Sequence, residues 1–185
     1  DSSGRVGIGS SVPSKKLHVH SGTSNNVAEF ESSDTGAKIT LRDPTTASSI
    51  QQFGGQFIID ADSDAAGGSS VLLLRVDGSE KVRITDGGKV LVGATANRAI
   101  AGGHATLQVE KNTSEGISLT RTSADSGAIF LSLGKTRNGS VCQAGDTIGS
   151  ISWNADDGTD LNHAAAEIRA EVVSGIGGND VPGDL

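Results

Sequence analysis

Apolar and polar residues alternate along much of the chain. The pairs Val6/Ile8, Leu17/Val19, Ile39/Leu41, Val82/Ile84, Val90/Val92, Leu107/Val109 and Ile117/Leu119, and the trio Ile129/Leu131/Leu133, each keep a period of two. That is the period of a strand with one face covered. Late in the chain, Ile168, Ala170 and Val172 interleave with Glu167, Arg169 and Glu171. The preceding Ala164 to Ala166 are helix formers, but the alternation predicts a strand there too. Turn signals separate the runs: Gly54-Gly55, Asp77-Gly78, Asp86-Gly87-Gly88, Asn138-Gly139 and Asp157-Gly158. Ile151/Trp153 adds one more alternating pair, which directs Trp153 inward as a core anchor. Many short strands divided by tight turns predict an all-β fold.

The chain also repeats itself. Gly4-Arg5-Val6-Gly7-Ile8-Gly9 returns as Gly88-Lys89-Val90-Leu91-Val92-Gly93, and Leu17-His18-Val19 returns as Leu107-Gln108-Val109. Ser33-Asp34-Thr35-Gly36-Ala37 returns as Ala124-Asp125-Ser126-Gly127-Ala128. The offset drifts from 84 to 90 or 91, which places loops of different length inside one common unit. The second copy of the glycine motif follows a strand pattern over 81–85, and the first copy does not. The expected organisation is two modules, 1–93 and 94–185, cut from a longer repetitive protein and truncated at the C-terminal end of the second.

Composition narrows the function classes. Val, Ile, Leu and Phe make up 43 of 185 residues, while Gly contributes 26; there is one Trp and no Tyr. So thin an apolar supply predicts a core shared between chains, with glycines where several backbones approach closely. Intertwining would also cover strand edges that otherwise invite aggregation. The longest run of large apolar residues, Val71 to Leu74, is far short of the ~20 residues of a membrane helix, so no membrane insertion is expected. A net charge of −7 and scarce aromatics disfavour nucleic acid. The single Cys142 excludes an internal disulfide and has no CxxC partner.

The stretch from Asp1 through Gly4-Arg5-Val6-Gly7-Ile8-Gly9 to Pro13 and Lys16-Leu17-His18-Val19 resembles the "GxVGIG…P…KLHV" module of bacteriophage tail fibres. Gly145-Asp146-Thr147-Ile148-Gly149-Ser150-Ile151-Ser152-Trp153, with Asp156-Asp157-Gly158-Thr159 and Ile168-Arg169-Ala170-Glu171-Val172, is similar to a second module of those proteins. Residues 75–84 fit the strand that usually precedes the glycine motif. Ser10-Ser11-Val12 departs from the usual Ser/Thr tract, and Leu91 replaces the inner glycine of the second copy. The resemblance implies an elongated fibrous homotrimer of short intertwined β-strands and small β-sandwich-like modules. It implies a virion location, other virion tail proteins as partners, and attachment to a host surface glycan or receptor. It also implies a structural protein and no enzyme. The alternatives are a tailspike-type glycan-degrading enzyme and a bacterial surface adhesin repeat.

The candidate chemistry is sparse, and no cofactor is expected. His18 and His20 share one face of a strand; in a trimer, three such pairs would offer six nitrogens to a metal. Asp60-Ala61-Asp62-Ser63-Asp64 resembles the start of a calcium loop, but Ala65 and Val71 stand where Gly and Glu are needed. Asp156, Asp157 and Asp160 raise the same calcium reading, and suit a turn around Gly158 or, with Trp153, contact with a glycan. Cys142 has His163 downstream as its one prospective base, and a shielded thiol is the simpler reading.

Overall fold

Every strand of the fold is short, three to nine residues apart from a two-residue C-terminal one, and each pairs locally. The computed structural model describes residues 3–23, 27–114, 116–174, 176–177 and 181–184. Asp1 and Ser2, which head the N-terminal motif, and the terminal Leu185 lie outside them. Strands and loops account for all described residues, with no helix. The chain divides by packing into two units, Asp1–Ser70 and Val71–Leu185.

In the first unit, β1 (Val6–Ile8) and β2 (Leu17–Val19) run parallel, with Val6 opposite Leu17 and Ile8 opposite Val19. β3 (Gly36–Arg42), β4 (Ala47–Phe53) and β5 (Gln56–Asp60) form an antiparallel meander. The β3–β4 turn is built by Asp43, whose carboxylate accepts the Thr45 and Thr46 N–H groups and the Thr45 hydroxyl at 2.7–2.8 Å. The β4–β5 turn is Gly54-Gly55 with both φ positive, which matches the right-handed twist of the strands it joins.

In the second unit, β6 (Val71–Val76), β7 (Ser79–Thr85), β8 (Val90–Val92) and β9 (Leu107–Val109) make one sheet in that order. β8 and β9 are parallel, with Val90 opposite Leu107 and Val92 opposite Val109. Asp77-Gly78 forms the expected turn, both residues in the left-handed conformation between β6 and β7, so residues 75–84, which by resemblance were one strand, are a hairpin. β10 (Thr147–Asn154), β11 (Ala164–Val172) and β12 (Gly183–Asp184) form a second antiparallel sheet. The Ala164 to Ala166 stretch is strand, as its alternation predicts.

The sequence repeat is also a structural one. Val6 N–H donates to Lys16 C=O as Val90 N–H donates to Thr106 C=O. Likewise His20 N–H donates to Ile8 C=O as Glu110 N–H donates to Val92 C=O, all four bonds at 2.7–2.9 Å. The third repeated block diverges. Gly36 opens β3, but its counterpart Gly127 opens no strand. The expected strands at Ile117/Leu119 and Ile129/Leu131/Leu133 are absent. Alternation prepares a face, but a strand also needs a neighbouring backbone, and neither segment has a ladder partner among the described residues.

Little apolar surface is enclosed. Among the described residues Pro13, Ala47, Leu91 and Val172 are the buried apolar ones, whereas Phe130 is 79% exposed and Phe57, Leu41, Leu131 and Ile117 also face outward. The chain exposes 14113 Å². A compact monomer of its mass exposes about 8,200 Å², and two separate compact units of these lengths about 10,000 Å².

Candidate functional site

The β10–β11 connection gathers most of the sequence-predicted polar residues. β10 and β11 pair with Trp153 opposite Ala166 and diverge after Asn154. The loop between them is held by its own carboxylates. Asp156 Oδ1 accepts Gly158 N–H at 2.9 Å, and Asp157 Oδ1 accepts Thr159 and Asp160 N–H at 2.9 and 3.2 Å. Asp160 accepts the backbone and side-chain N–H groups of Asn162 at 2.8 and 2.7 Å. Asn162 in turn accepts Gly102 N–H at 2.8 Å, which ties the loop to the 100–103 turn. These are the side-chain-to-backbone bonds by which Asp and Asn build turns.

His163 Nδ1 lies 3.4 Å from Asp157 Oδ2, so ligand atoms of Asp157, Asp160 and His163 fall within 4.8 Å of one another. Sequence reasoning passed over His163 here, although its spacing from Asp157 was visible. Asp157 titrates below the usual carboxylate range, chiefly because Thr159 and then Asp160 donate to it. Trp153 is 53% exposed, so the single chain leaves it on an open sheet face and the expected inward orientation is not met.

The other candidates are occupied locally. His18 Nδ1 accepts Ser14 N–H at 3.3 Å, and the His18 and His20 rings meet edge-on with centroids 6.5 Å apart. Asp62 takes the Ser70 hydroxyl at 2.6 Å and the N–H groups of Ala66 and Gly67, and Asp64 bonds Ala47 N–H and Arg42. The Asp62 carboxylate therefore closes its own loop, and that of Asp64 braces the loop against β4. Cys142 Sγ contacts Lys135 C=O at 3.3 Å while His163 faces Asp157, so thiol and imidazole have different partners. Beside Cys142 lies an apolar cleft of about 440 Å³ walled by Val141, Ile148, Ile176 and Val181.

No family model matches the chain, and no curated protein matches it.

The strongest polar cluster is one the sequence reading missed. Asp146, 7% exposed, accepts two bonds from Arg137 at 2.7 and 2.8 Å, one from Lys135 Nζ at 2.9 Å and one from Gln143 N–H at 2.8 Å. Its signal was Lys135 and Arg137, two apart and so able to share one side of an extended segment. The arrangement is a bidentate carboxylate–guanidinium pair with every acceptor position used, which makes it a structural clasp.

The same clasp sets an acid limit. The Arg137 guanidinium, Gln143 N–H and Lys135 ammonium hold Asp146 far below the ordinary carboxylate value, and Arg137 is pushed up in return. Thr45 and Thr46 hold Asp43 down to about 2 from 3.8. A carboxylate lowered by folding contributes its stability above its unfolded value and loses it as pH falls through the folded one. The thermal midpoint should therefore be flat between about pH 7 and pH 5 and fall below about pH 4. A midpoint unchanged down to pH 2 would refute this account.

Proposed function

We propose that this chain is a structural, non-catalytic segment of a trimeric fibre, of the kind found in bacteriophage tails, which holds a host-binding end away from the particle. One observation carries the reading: the exposed surface exceeds that of two compact units of these lengths by roughly 4,000 Å². An excess of that size is in the range that obligate assemblies bury. Part of that exposed surface is apolar and lies where strands were expected, at Ile117, Leu119, Ile129, Phe130, Leu131 and Leu133. A second and third copy would supply the missing backbone partners and cover those side chains together. The resemblance of the glycine and KLHV motifs selects a phage fibre over a bacterial adhesin. The mechanism is mechanical: shared sheets make a stiff rod, and the polar β10–β11 loop with Trp153 is the part free to touch a host glycan.

Sedimentation equilibrium tests the assembly. The expected mass is three times the 18.6 kDa of one chain, unchanged on dilution through the micromolar range. A single-chain mass at every concentration would defeat the proposal. Incubation with bacterial capsule or lipopolysaccharide should leave the polysaccharide length unchanged, and shortening would favour the tailspike alternative.

A further inference from the structure

We infer that the outer edge of β1 is the docking site for an antiparallel strand of the β7 pattern, in which Val or Ile alternates with Lys or Arg. The second copy of the motif supplies the comparison, independently of the fibre reading. β8 is a three-residue strand paired on both edges: parallel to β9 on one side, antiparallel to β7 on the other. On the β7 side Arg83 stands opposite Leu91, with Val82 opposite Val92 and Ile84 opposite Val90. Bonds from Thr85 N–H to Lys89 C=O and from Gly93 N–H to Lys81 C=O, both at 3.0 Å, close the two ends of that ladder.

β1 repeats β8 position by position. It pairs with β2 in the register that β8 keeps with β9, and the flanking hydrogen bonds correspond. The bordering glycines correspond too: Gly4 and Gly88 have φ of +65° and +72°, Gly9 and Gly93 of +70° and +78°. Yet β1 belongs to a sheet of two strands, and among the described residues β2 is its one neighbour.

In a parallel pair, successive residues turn their backbone groups to opposite sides. The bonds of Val6 and Ile8 go to the β2 side. The N–H and C=O of Gly7 and the N–H of Gly9 are then left on the outer edge, where Leu91 and Gly93 of the second copy meet β7. Side-chain cover follows the same contrast. Val6 and Ile8 are each 57% exposed, whereas Val90 and Val92 are half-buried. An edge with its backbone groups outward is a template for strand addition. The second copy of the module states which strand fits: an antiparallel one with apolar side chains at the positions of Val82 and Ile84.

The test is a variant in which a copy of residues 79–85 is placed directly before Ser2. Ser2-Ser3-Gly4 then occupies the place of Asp86-Gly87-Gly88 in the β7–β8 turn, and the tether holds the strand at millimolar effective concentration. Amide hydrogen exchange at Gly7 and Gly9 should slow at least tenfold relative to the parent chain. An appended copy carrying Arg83→Pro should restore the parent rates, because Pro removes the central donor of the added strand. Exchange at Glu110, in the untouched β8–β9 pair, reports that each variant is folded. As a second arm, a free peptide of residues 79–85 at millimolar concentration should shift the Gly7 and Gly9 amide signals of the unmodified chain. Unchanged exchange at Gly7 and Gly9 in the extended variant would overturn the inference. So would equal slowing with the Pro copy, or full protection already in the parent chain, which would mean that a second copy pairs edge to edge there.

Discussion

Leu91→Ala should destabilise the second unit by about 2–5 kcal/mol, the range for deleting a buried Leu side chain that leaves a cavity. Leu91 is completely buried although it sits in a three-residue strand, so its cover has to come from elsewhere in the unit. The roof is the long β8–β9 connection. Gln108, next to Leu91 in the parallel register and itself buried, accepts Arg98 N–H at 3.1 Å and donates back to Arg98 C=O. This two-point bond fixes the connection over the face that carries Leu91. An Ala there leaves a void that Gln108 and the connection cannot both collapse into without giving up those bonds. The urea midpoint should fall by about 1 M or more. A loss under about 0.5 kcal/mol, typical of surface sites, would show that the face is not closed.

The first module meets the same packing problem with different residues, and this is where the sequence could be read only in part. Gly7 stands in place of Leu91, and a Cβ there would run into the Ser10 carbonyl oxygen. The shorter β1–β2 connection itself fills the space that Leu91 fills in the second copy of the motif. His18 stands in place of Gln108 and accepts Ser14 N–H from that connection, as Gln108 accepts Arg98 N–H. The repeated motif was visible as a pattern. The exchange of a side chain for a backbone was not, because it depends on loop length and on which carbonyl turns inward. For the same reason His18 read as half of a metal pair: spacing shows that two imidazoles share a face, but not that one nitrogen already has a donor.

Strands with clean alternation, such as β3 and β11, could be read directly. β4 could not, because its Ser48, Ser49, Gln51 and Gln52 hide the period, and β6 could not, because Val71 to Leu74 are apolar without a break. The error at 117–119 and 129–133 ran the other way. There the side-chain pattern is that of a strand, but the backbone partner is not within the chain's described residues. Sequence periodicity reports which face wants cover, and it is silent about which chain provides it. In the candidate site the Asp residues around Gly158 were identifiable as turn builders, since Asp-Gly spacing carries that signal. The Asp146 clasp was not, because the Lys135/Arg137 spacing offers two cations on one side but does not say which carboxylate, nine and eleven residues on, closes on them.

Gly93→Ala should cost at least twice as much as Gly88→Ala, although the two glycines have nearly the same backbone conformation. Both lie in the left-handed region, with φ of +78° and +72°, where an L-residue costs roughly 1–2 kcal/mol. At Gly88 that is the whole penalty, because a Cβ there meets no atom within 4 Å. At Gly93 a Cβ would be driven into the carbonyl oxygen of Glu110, whose own N–H donates to Val92 C=O at 2.9 Å. Relief requires Glu110 to move, and moving it breaks the bond that ends the β8–β9 ladder. The first module offers an independent copy of the experiment. A Cβ at Gly9 would strike the His20 carbonyl oxygen, while Gly22, with φ of +65°, has open space. Gly9→Ala should therefore exceed Gly22→Ala by a similar margin, read as the difference in urea midpoints at equal protein concentration. Equal losses within either pair would mean that the glycines are kept for φ alone. Unequal losses in both pairs would establish the close approach of the β1–β2 and β8–β9 backbones as the feature that the repeated motif encodes.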